Sequence, residues 1–271
     1  MPDFKHLINQ LLGVQEVLLA IDRELYLSVV RPIAIPPQAP HEQINEAERQ
    51  LGLPLPDDYR DYLKQVNGKH QLNPLFGELY GCTDVRLFRQ QNSDWIDAYL
   101  GPGGRAPQSA DLTEEEHRAT VDDDVPERFR LAYLPGLIEI SRSSEGAVYL
   151  LNPSVSYSSG TCEVWAFANW LPGAARFRSF LHLVEHEYRR ASRDANILSQ
   201  AFDSQWAIEY ISGLVDSIMA TRVVDPEGAI SILHQESTVI KDDVLYGWFL
   251  RQNELGRLDN AIRKRYGIRP R

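Results

Sequence analysis

Residues 41–68 constrain the fold more than any other stretch, because they predict two short amphipathic helices joined by a tight turn. In the first helix, apolar residues recur at helical spacing. Gly52 then stands where a helix C-terminus favours a left-handed residue, and Pro54 prevents the helix from continuing. Pro56 opens the second helix, and the two acids that follow it suit the positive end of the helix dipole. A helical hairpin is therefore predicted here.

The second predicted helix has one apolar face, formed by residues at i, i+3, i+4 and i+7. These residues are Tyr59, Tyr62, Leu63 and Val66, and Asn67-Gly68 ends the helix. The segment contains no nucleophile, no general base and no phosphate-binding loop. We therefore interpret it as a scaffold whose tyrosines belong to the core.

Composition narrows the class of protein. The chain has 271 residues, is 43% hydrophobic and carries a formal net charge of −10. A packed core is expected, while the acidic balance argues against a nucleic-acid binder and suits a basic partner. Cys82 and Cys162 form no spacing motif, which favours free thiols in a reducing compartment. The N-terminus shows no signal-peptide pattern and no run is long enough to span a membrane, so we expect a soluble, cytoplasmic protein.

The order of predicted elements indicates an α+β fold with a mainly antiparallel sheet. A helix is predicted over residues 3–29, a Pro-rich linker over 31–40 and a helix over 177–190. Strand-like runs begin near Leu79 and continue at residues 85–88, 129–134, 137–141, 147–151 and 162–167. We predict three parts: residues 1–40 as N-terminal helix and linker, 41–192 as the α+β domain, and 193–271 as a helical extension.

The extension shows several helical signals. One predicted helix has an apolar stripe of Trp206, Tyr210, Leu214 and Ile218, Asp225-Pro226-Glu227 is typical of a helix start, and a further helix is predicted over residues 245–252. The last eleven residues carry five basic groups and no acid, which suits a helix end.

Between residues 93 and 125 the periodicity disappears, which predicts a loop with one helical turn after Thr113. Acids crowd this segment, and they are Asp111, Glu114, Glu115, Glu116, Asp122, Asp123, Asp124 and Glu127.

Residues 41–192 resemble the SUKH superfamily, which includes bacterial toxin-immunity proteins and a fungal cell-wall assembly regulator. The matching positions are Ile44, Ala47, Glu48, Leu51, Gly52, Leu55, Pro56, Asp58, Tyr59, Tyr62, Leu63, Asn67 and Gly68, followed more weakly by residues 145–151 and 177–181. The resemblance implies an α+β domain that binds protein. Its leading implication is an immunity protein that neutralises a cognate cytoplasmic-acting toxin, such as a nuclease, by blocking the toxin's active site. A regulatory protein-interaction module is the alternative.

An enzymatic alternative rests on His182, Glu185 and His186, which match the H-x-x-E-H order of one class of zinc proteases. Two histidines four residues apart on a helix can bind one zinc ion. The predicted apolar stripe of this helix is formed by Phe177, Phe180, Leu181, Val184 and Tyr188. Both histidines lie opposite that stripe, and a third ligand is not evident. We therefore expect no catalysis, no metal and no cofactor.

Partner binding is expected at the acidic segment and at two tryptophans. An acidic loop can imitate a phosphate backbone and fill the basic cleft of a nuclease, although a solvated turn or a magnesium site would also fit Asp122, Asp123 and Asp124. Trp95 and Trp170 could anchor an interface or be buried under the loop. The predicted partner-binding residues are Trp95, Glu114, Glu115, Glu116, Asp122, Asp123, Asp124 and Trp170.

Overall fold

A computed structural model describes residues 2–21, 37–100, 112–119, 128–144, 146–158, 160–171, 173–201, 204–236 and 255–269. The described helices are α1 (Phe4–Ile21), α2 (His41–Leu51), α3 (Asp57–Gln65), α4 (Ser93–Leu100), α5 (Glu114–Ala119), α6 (Phe180–Ala201), α7 (Ser204–Arg222), α8 (Pro226–Glu236) and α9 (Leu255–Arg265). The strands are β1 (Arg86–Leu87), β2 (Ile138–Glu139), β3 (Ala147–Asn152), β4 (Glu163–Ala168) and β5 (Ala174–Phe177). The chain divides into two units: Met1–Glu16 with Glu24–Ala191, and Val17–Arg23 with Ser192–Arg271.

The five strands form one sheet in the order β1-β2-β3-β4-β5, and every pair is antiparallel. Neighbouring strands are consecutive in sequence, so short turns suffice to join the longer ones. The α+β prediction with a mainly antiparallel sheet is therefore confirmed.

Three local predictions were wrong. Residues 129–134 do not form a strand, because Leu131–Gly136 is a 3-10 turn that contains Pro135, which cannot donate to a strand ladder. The helix predicted from residue 177 begins at Phe180 instead, and Phe177 ends strand β5. The loop predicted from residue 93 begins as helix α4, whose apolar side buries Ile96 and Leu100.

Both faces of the central strands are buried, since every residue of β3 and β4 lies inside the protein. Side chains alternate between the faces. One face, here called the α6 face, carries Tyr149, whose hydroxyl donates to Glu187 of α6 at 2.8 Å. The other, here called the α4 face, carries Phe167, on which Trp95 of α4 stacks at a centroid distance of 5.0 Å. The sheet therefore needs a helical layer on each side.

The family-like segment forms the α6 side of this core. The rings of Phe4, Tyr59, Tyr62 and Phe180 pack together with centroid distances between 4.8 and 5.8 Å. All four side chains are fully buried, which confirms the prediction that the tyrosines are core residues.

The polar positions of the same segment fix its turns. Gly52 adopts the left-handed conformation with φ of 72°, as predicted for a helix C-terminus. Glu48 accepts a hydrogen bond from the Leu55 N–H at 2.9 Å and pairs with Arg60 at 3.0 Å, which ties α2 to α3. Gly68 has φ of 70°, and a Cβ there would collide with the backbone of Tyr80. These residues are structural.

Asp58 connects this segment to α6 across 122 positions of sequence. One carboxylate oxygen, Oδ2, accepts hydrogen bonds from the N–H groups of Phe180 at 2.7 Å and Leu181 at 3.2 Å. Burial raises the pKa of Asp58, and the backbone N–H groups that bind the carboxylate oppose that rise. Asp58 therefore caps the N-terminus of α6, a role that local helix signals could not reveal.

The second unit contains α7, α8 and α9. Asp225 caps α8 by accepting the Gly228 N–H at 2.6 Å, as the Asp-Pro-Glu pattern predicted. In α9, Arg263 is about 2% exposed and pairs with Asp259 at 2.9 Å. Helix α9 thus contains the first three basic residues of the C-terminal run, Arg263, Lys264 and Arg265, and the first of them is internal. Residues 245–252, also predicted to be helical, lie outside the described residues.

One stripe prediction in this unit was off by one position. Leu214 and Ile218 are only half-buried, whereas Ile211 and Val215 face inward. None of the helices in the described ranges combines the length and the apolarity needed to cross a bilayer.

Replacing Asp58 with Ala should lower the free energy of unfolding by about 1–3 kcal/mol, because two buried N–H groups of α6 lose their acceptor. Asp57→Ala is the matched control, since Asp57 lies in the same helical turn but is exposed, and its loss should cost about 0.5 kcal/mol. Urea unfolding followed by circular dichroism measures both. Equal losses in the two variants would contradict the capping role.

Candidate partner-binding surface

Helix α5 carries three of the predicted acidic residues, Glu114, Glu115 and Glu116, on its outside. Thr113 caps the helix, because its hydroxyl oxygen accepts the Glu116 N–H at 3.2 Å while Glu116 accepts the Thr113 N–H at 2.8 Å. This reciprocal pair is a capping box, and the Thr113 donors hold the pKa of the Glu116 carboxyl below its usual value. The predicted helical turn after Thr113 is confirmed.

The carboxylates of α5 face solvent. Glu114, Glu115 and Glu116 are all exposed. Glu114 pairs with Arg118 at 3.1 Å and lies 3.8 Å from Arg130. These three acids therefore form an exposed acidic edge, whereas Asp122, Asp123 and Asp124 lie outside the described residues.

His117 fastens α5 to the α4 face of the sheet. Its side chain is fully buried, and Nε2 lies 2.9 Å from a carboxylate oxygen of Glu163 in β4. On the other side of the ring, Nδ1 accepts the Arg130 N–H at 3.0 Å and faces Nη1 of Arg176 at 2.7 Å. Because Nδ1 faces two N–H donors, it is the acceptor on that side of the ring, and Nε2 donates to Glu163 on the other.

Glu163 is the centre of this buried network. Besides His117, its carboxylate is surrounded by Asn152 Nδ2 at 2.9 Å, Trp165 Nε1 at 2.6 Å, Tyr157 Oη at 3.1 Å and Arg176 Nε at 3.4 Å. We call these six side chains the Glu163 network. Burial opposes ionisation of Glu163, but the His117 hydrogen bond and the charges around it outweigh burial and hold its pKa below the usual value.

The Glu163 network acts as an anchor, because its carboxylate is fully buried and its oxygens already meet five side-chain partners. The role of His117 was not predicted from the sequence. A signal was available in strand β4: a glutamate on the same side as Trp165 and Phe167, in an otherwise apolar run, needs a buried donor or cation. The sequence does not say which residue supplies that donor.

The two candidate tryptophans differ in exposure. Trp95 is half-buried and covers the sheet through its ring contact with Phe167. Trp170 is 37% exposed in the turn between β4 and β5. That turn lies beside Gly146, whose carbonyl accepts the Asn169 N–H at 2.9 Å.

Strand β4 separates the acidic edge from Trp170. Glu163 at the start of β4 anchors α5, and Trp170 follows the end of the strand. Six residues of strand span about 20 Å. The structure therefore places these candidates at opposite ends of the sheet, with Trp95 over Phe167 between them, and a single partner would have to cover that distance.

The H-x-x-E-H residues lie along the outer side of α6. His182 and His186 are half-buried and meet the ring of Phe177 edge-on at 5.9 and 5.1 Å, while Glu185 is exposed. Within the ranges that the structure describes, no group of three or more His, Cys, Asp or Glu side chains is placed to hold a metal ion. The inward residues include Leu183 and Glu187, whereas Leu181 and Tyr188 of the predicted stripe are half-buried.

A small polar depression lies beside strand β1, with a volume of about 280 Å³. It is lined by Gln50, Leu51, Thr83, Asp84, Val85, Arg86 and Gln90. The Arg86 guanidinium is held by the buried Glu139 carboxylate at 2.8 and 3.1 Å. This depression was not predictable from local sequence patterns, because its lining combines residues 50–51 with residues 83–90.

Both cysteines are buried free thiols. Burial raises the pKa of the Cys82 and Cys162 thiols, which disfavours the reactive thiolate.

Comparison with known families identifies the scaffold. The model of the SMI1 / KNR4 family (SUKH-1) matches residues 38–183, just over half of the chain. The matched range holds the helical hairpin, all five strands and the start of α6. No curated protein and no solved structure matches the chain. The family match agrees with the resemblance carried by residues 41–192, and the chain belongs to the SMI1 / KNR4 family (SUKH-1).

Proposed function

We propose that this protein is an immunity protein that binds a cognate toxin in the cytoplasm and blocks the toxin's active site. Membership of the SUKH-1 family is the observation that carries this proposal, since the family resemblance implies protein binding. The signature residues pack in the core, cap helices and form turns. Contact with a partner therefore falls to surfaces outside the signature, where side chains can vary on a rigid scaffold.

The charge of the protein favours a basic partner. The chain has a net charge of −10, and the carboxylates of Glu114, Glu115 and Glu116 are presented on a helix that the Glu163 network fixes to the sheet. An acidic edge on a rigid support attracts a basic surface, speeds association and sets the orientation of binding. A nuclease, whose cleft must accept phosphate groups, fits this description.

Trp170 is the second contact that we propose. A partly exposed tryptophan in a turn offers a large apolar surface at small conformational cost, and such residues often dominate interface energies. Trp95 would contribute as a supporting contact, because much of its ring already packs on Phe167.

The proposal predicts that this protein rescues growth when it is co-expressed with the toxin encoded beside its gene. A stable complex should be recovered from the rescued cells at equal stoichiometry. If the neighbouring gene product is harmless and the protein instead captures several cellular proteins, a regulatory interaction module replaces the immunity function.

Reversing one charge tests the acidic edge. Glu115→Lys should weaken binding of the captured toxin by about tenfold at low ionic strength, because Glu115 is exposed on α5. The loss should shrink at high salt, where exposed charges are screened. Glu42→Lys on α2 is the control, since Glu42 is equally exposed outside the proposed surface. Calorimetric titration at two salt concentrations measures both, and equal losses would contradict the assignment.

We also propose that residues 41–192 form the binding domain and that residues 193–271 form a helical extension with a separate role. Helix α6 runs to Ala201, so a chain that ends after Ala201 keeps that helix whole. We expect this shortened chain to retain toxin affinity within about threefold, measured by the same titration. A loss of binding in a shortened chain that still gives the cooperative unfolding of the sheet domain would assign the extension to the interface.

A further inference from the structure

We propose that Arg118 and Arg130 determine the specificity of the acidic edge, because they reject a uniformly basic surface and select a toxin that places an acidic group beside a basic one. The inference rests on the proposed function, since the acidic edge is the surface assigned to toxin binding. It adds to that function the charge pattern that the cognate toxin must carry.

Positive and negative charges alternate around α5. The three carboxylates of the acidic edge stand among the guanidinium groups of Arg118, Arg128 and Arg130, so their formal charges cancel. Glu114 pairs with Arg118 at 3.1 Å and lies 3.8 Å from Arg130. The net charge of the whole protein steers a basic toxin at long range. A toxin in contact with α5, however, meets groups of both signs.

The three acids differ in how far their charge is compensated. Glu114 has two arginines beside it. The Thr113 donors and, less strongly, the charge of Arg128 lower the pKa of the Glu116 carboxyl. Glu115 is exposed and forms no ion pair within the ranges that the structure describes. A basic group of the toxin therefore gains most at Glu115, with the arginines close by.

The two arginines are held in place and yet remain accessible. Arg118 donates from Nη1 to the Ser156 carbonyl at 3.1 Å, and the Arg130 guanidinium lies 5.3 Å from the ring centroid of Tyr133. Their side chains are 38% and 33% exposed, so a partner can reach both. Cations fixed in this way repel a surface that carries only lysine and arginine. They offer a carboxylate paired donors at little entropic cost.

Binding of decalysine to the full-length protein at low ionic strength tests the rejection of a uniformly basic surface. Arg118→Gln frees Glu114 from its closest cation and should tighten decalysine binding by about threefold, as expected for an exposed ion pair. Arg189→Gln is the matched control, because it removes the same charge from an exposed position on α6. Fluorescence anisotropy measures both dissociation constants, and equal changes in the two variants would overturn the proposal.

Binding of the captured toxin tests the selection of an acidic group. Arg118→Gln should weaken toxin binding by about fivefold, because the toxin's carboxylate loses its donor. The proposal thus requires opposite shifts for decalysine and toxin. Attraction by net charge alone would tighten both, and that result would refute the selection.

Arg130→Gln is a second variant for both measurements, and it should shift the two dissociation constants in the same directions as Arg118→Gln. The hydrogen bond from Arg130 to His117 uses the backbone N–H, so this variant keeps it. The decalysine measurement involves no toxin. Its failure would remove the specificity role of the arginines and leave the immunity proposal to its own test by growth rescue.

Discussion

The double burial of strands β3 and β4 is the constraint on which the rest of the structure depends. A sheet whose central strands face protein on both sides needs two covering layers. The helical hairpin, α1 and α6 supply one layer through the ring cluster around Tyr62 and Phe180. The other layer consists of α4, the 3-10 turn at Leu131–Gly136 and α5. The family signature specifies only the first of these layers.

The two layers are held by different chemistry. On the α6 face, aromatic packing is supplemented by Asp58 and Glu187, whose carboxylates accept hydrogen bonds from distant segments. On the α4 face, buried polar contacts hold α5 to the sheet. Glu163 binds both Arg176 of the sheet and His117 of α5. Removing one member of a buried ion pair is costly, because the remaining charge stays in a low-dielectric interior.

Local physics in the sequence determined much of this fold. Gly52, Pro56 and the i, i+3, i+4, i+7 spacing from Tyr59 predicted both hairpin helices, and the alternation around Trp165 predicted a core strand. The errors arose where tertiary structure overrides local preference. Phe177 looks like the start of α6, but it pairs with Val164 as strand. The short helix α4 is stabilised by contact with Phe167, which no local pattern reveals.

The candidate surface was less predictable than the fold. Exposed acids are visible in a sequence, so Glu114, Glu115 and Glu116 could be named in advance. The network that supports them could not be named in advance, because Glu163 and Arg176 lie 46 and 59 positions away from His117 in the sequence. Distances between surface groups also depend on strand length, and for that reason the separation of Trp170 from the acidic edge emerged only from the structure.

The central claim is that the signature is scaffold and that the partner binds elsewhere, at α5 and the β4–β5 turn. Hydrogen-exchange footprinting of the complex with the toxin tests it most directly, by comparing free and bound protein. The account predicts new protection in residues 113–118 and 169–171, with no change in the hairpin helices α2 and α3. Protection confined to α2 and α3, with none at α5 or Trp170, would contradict it.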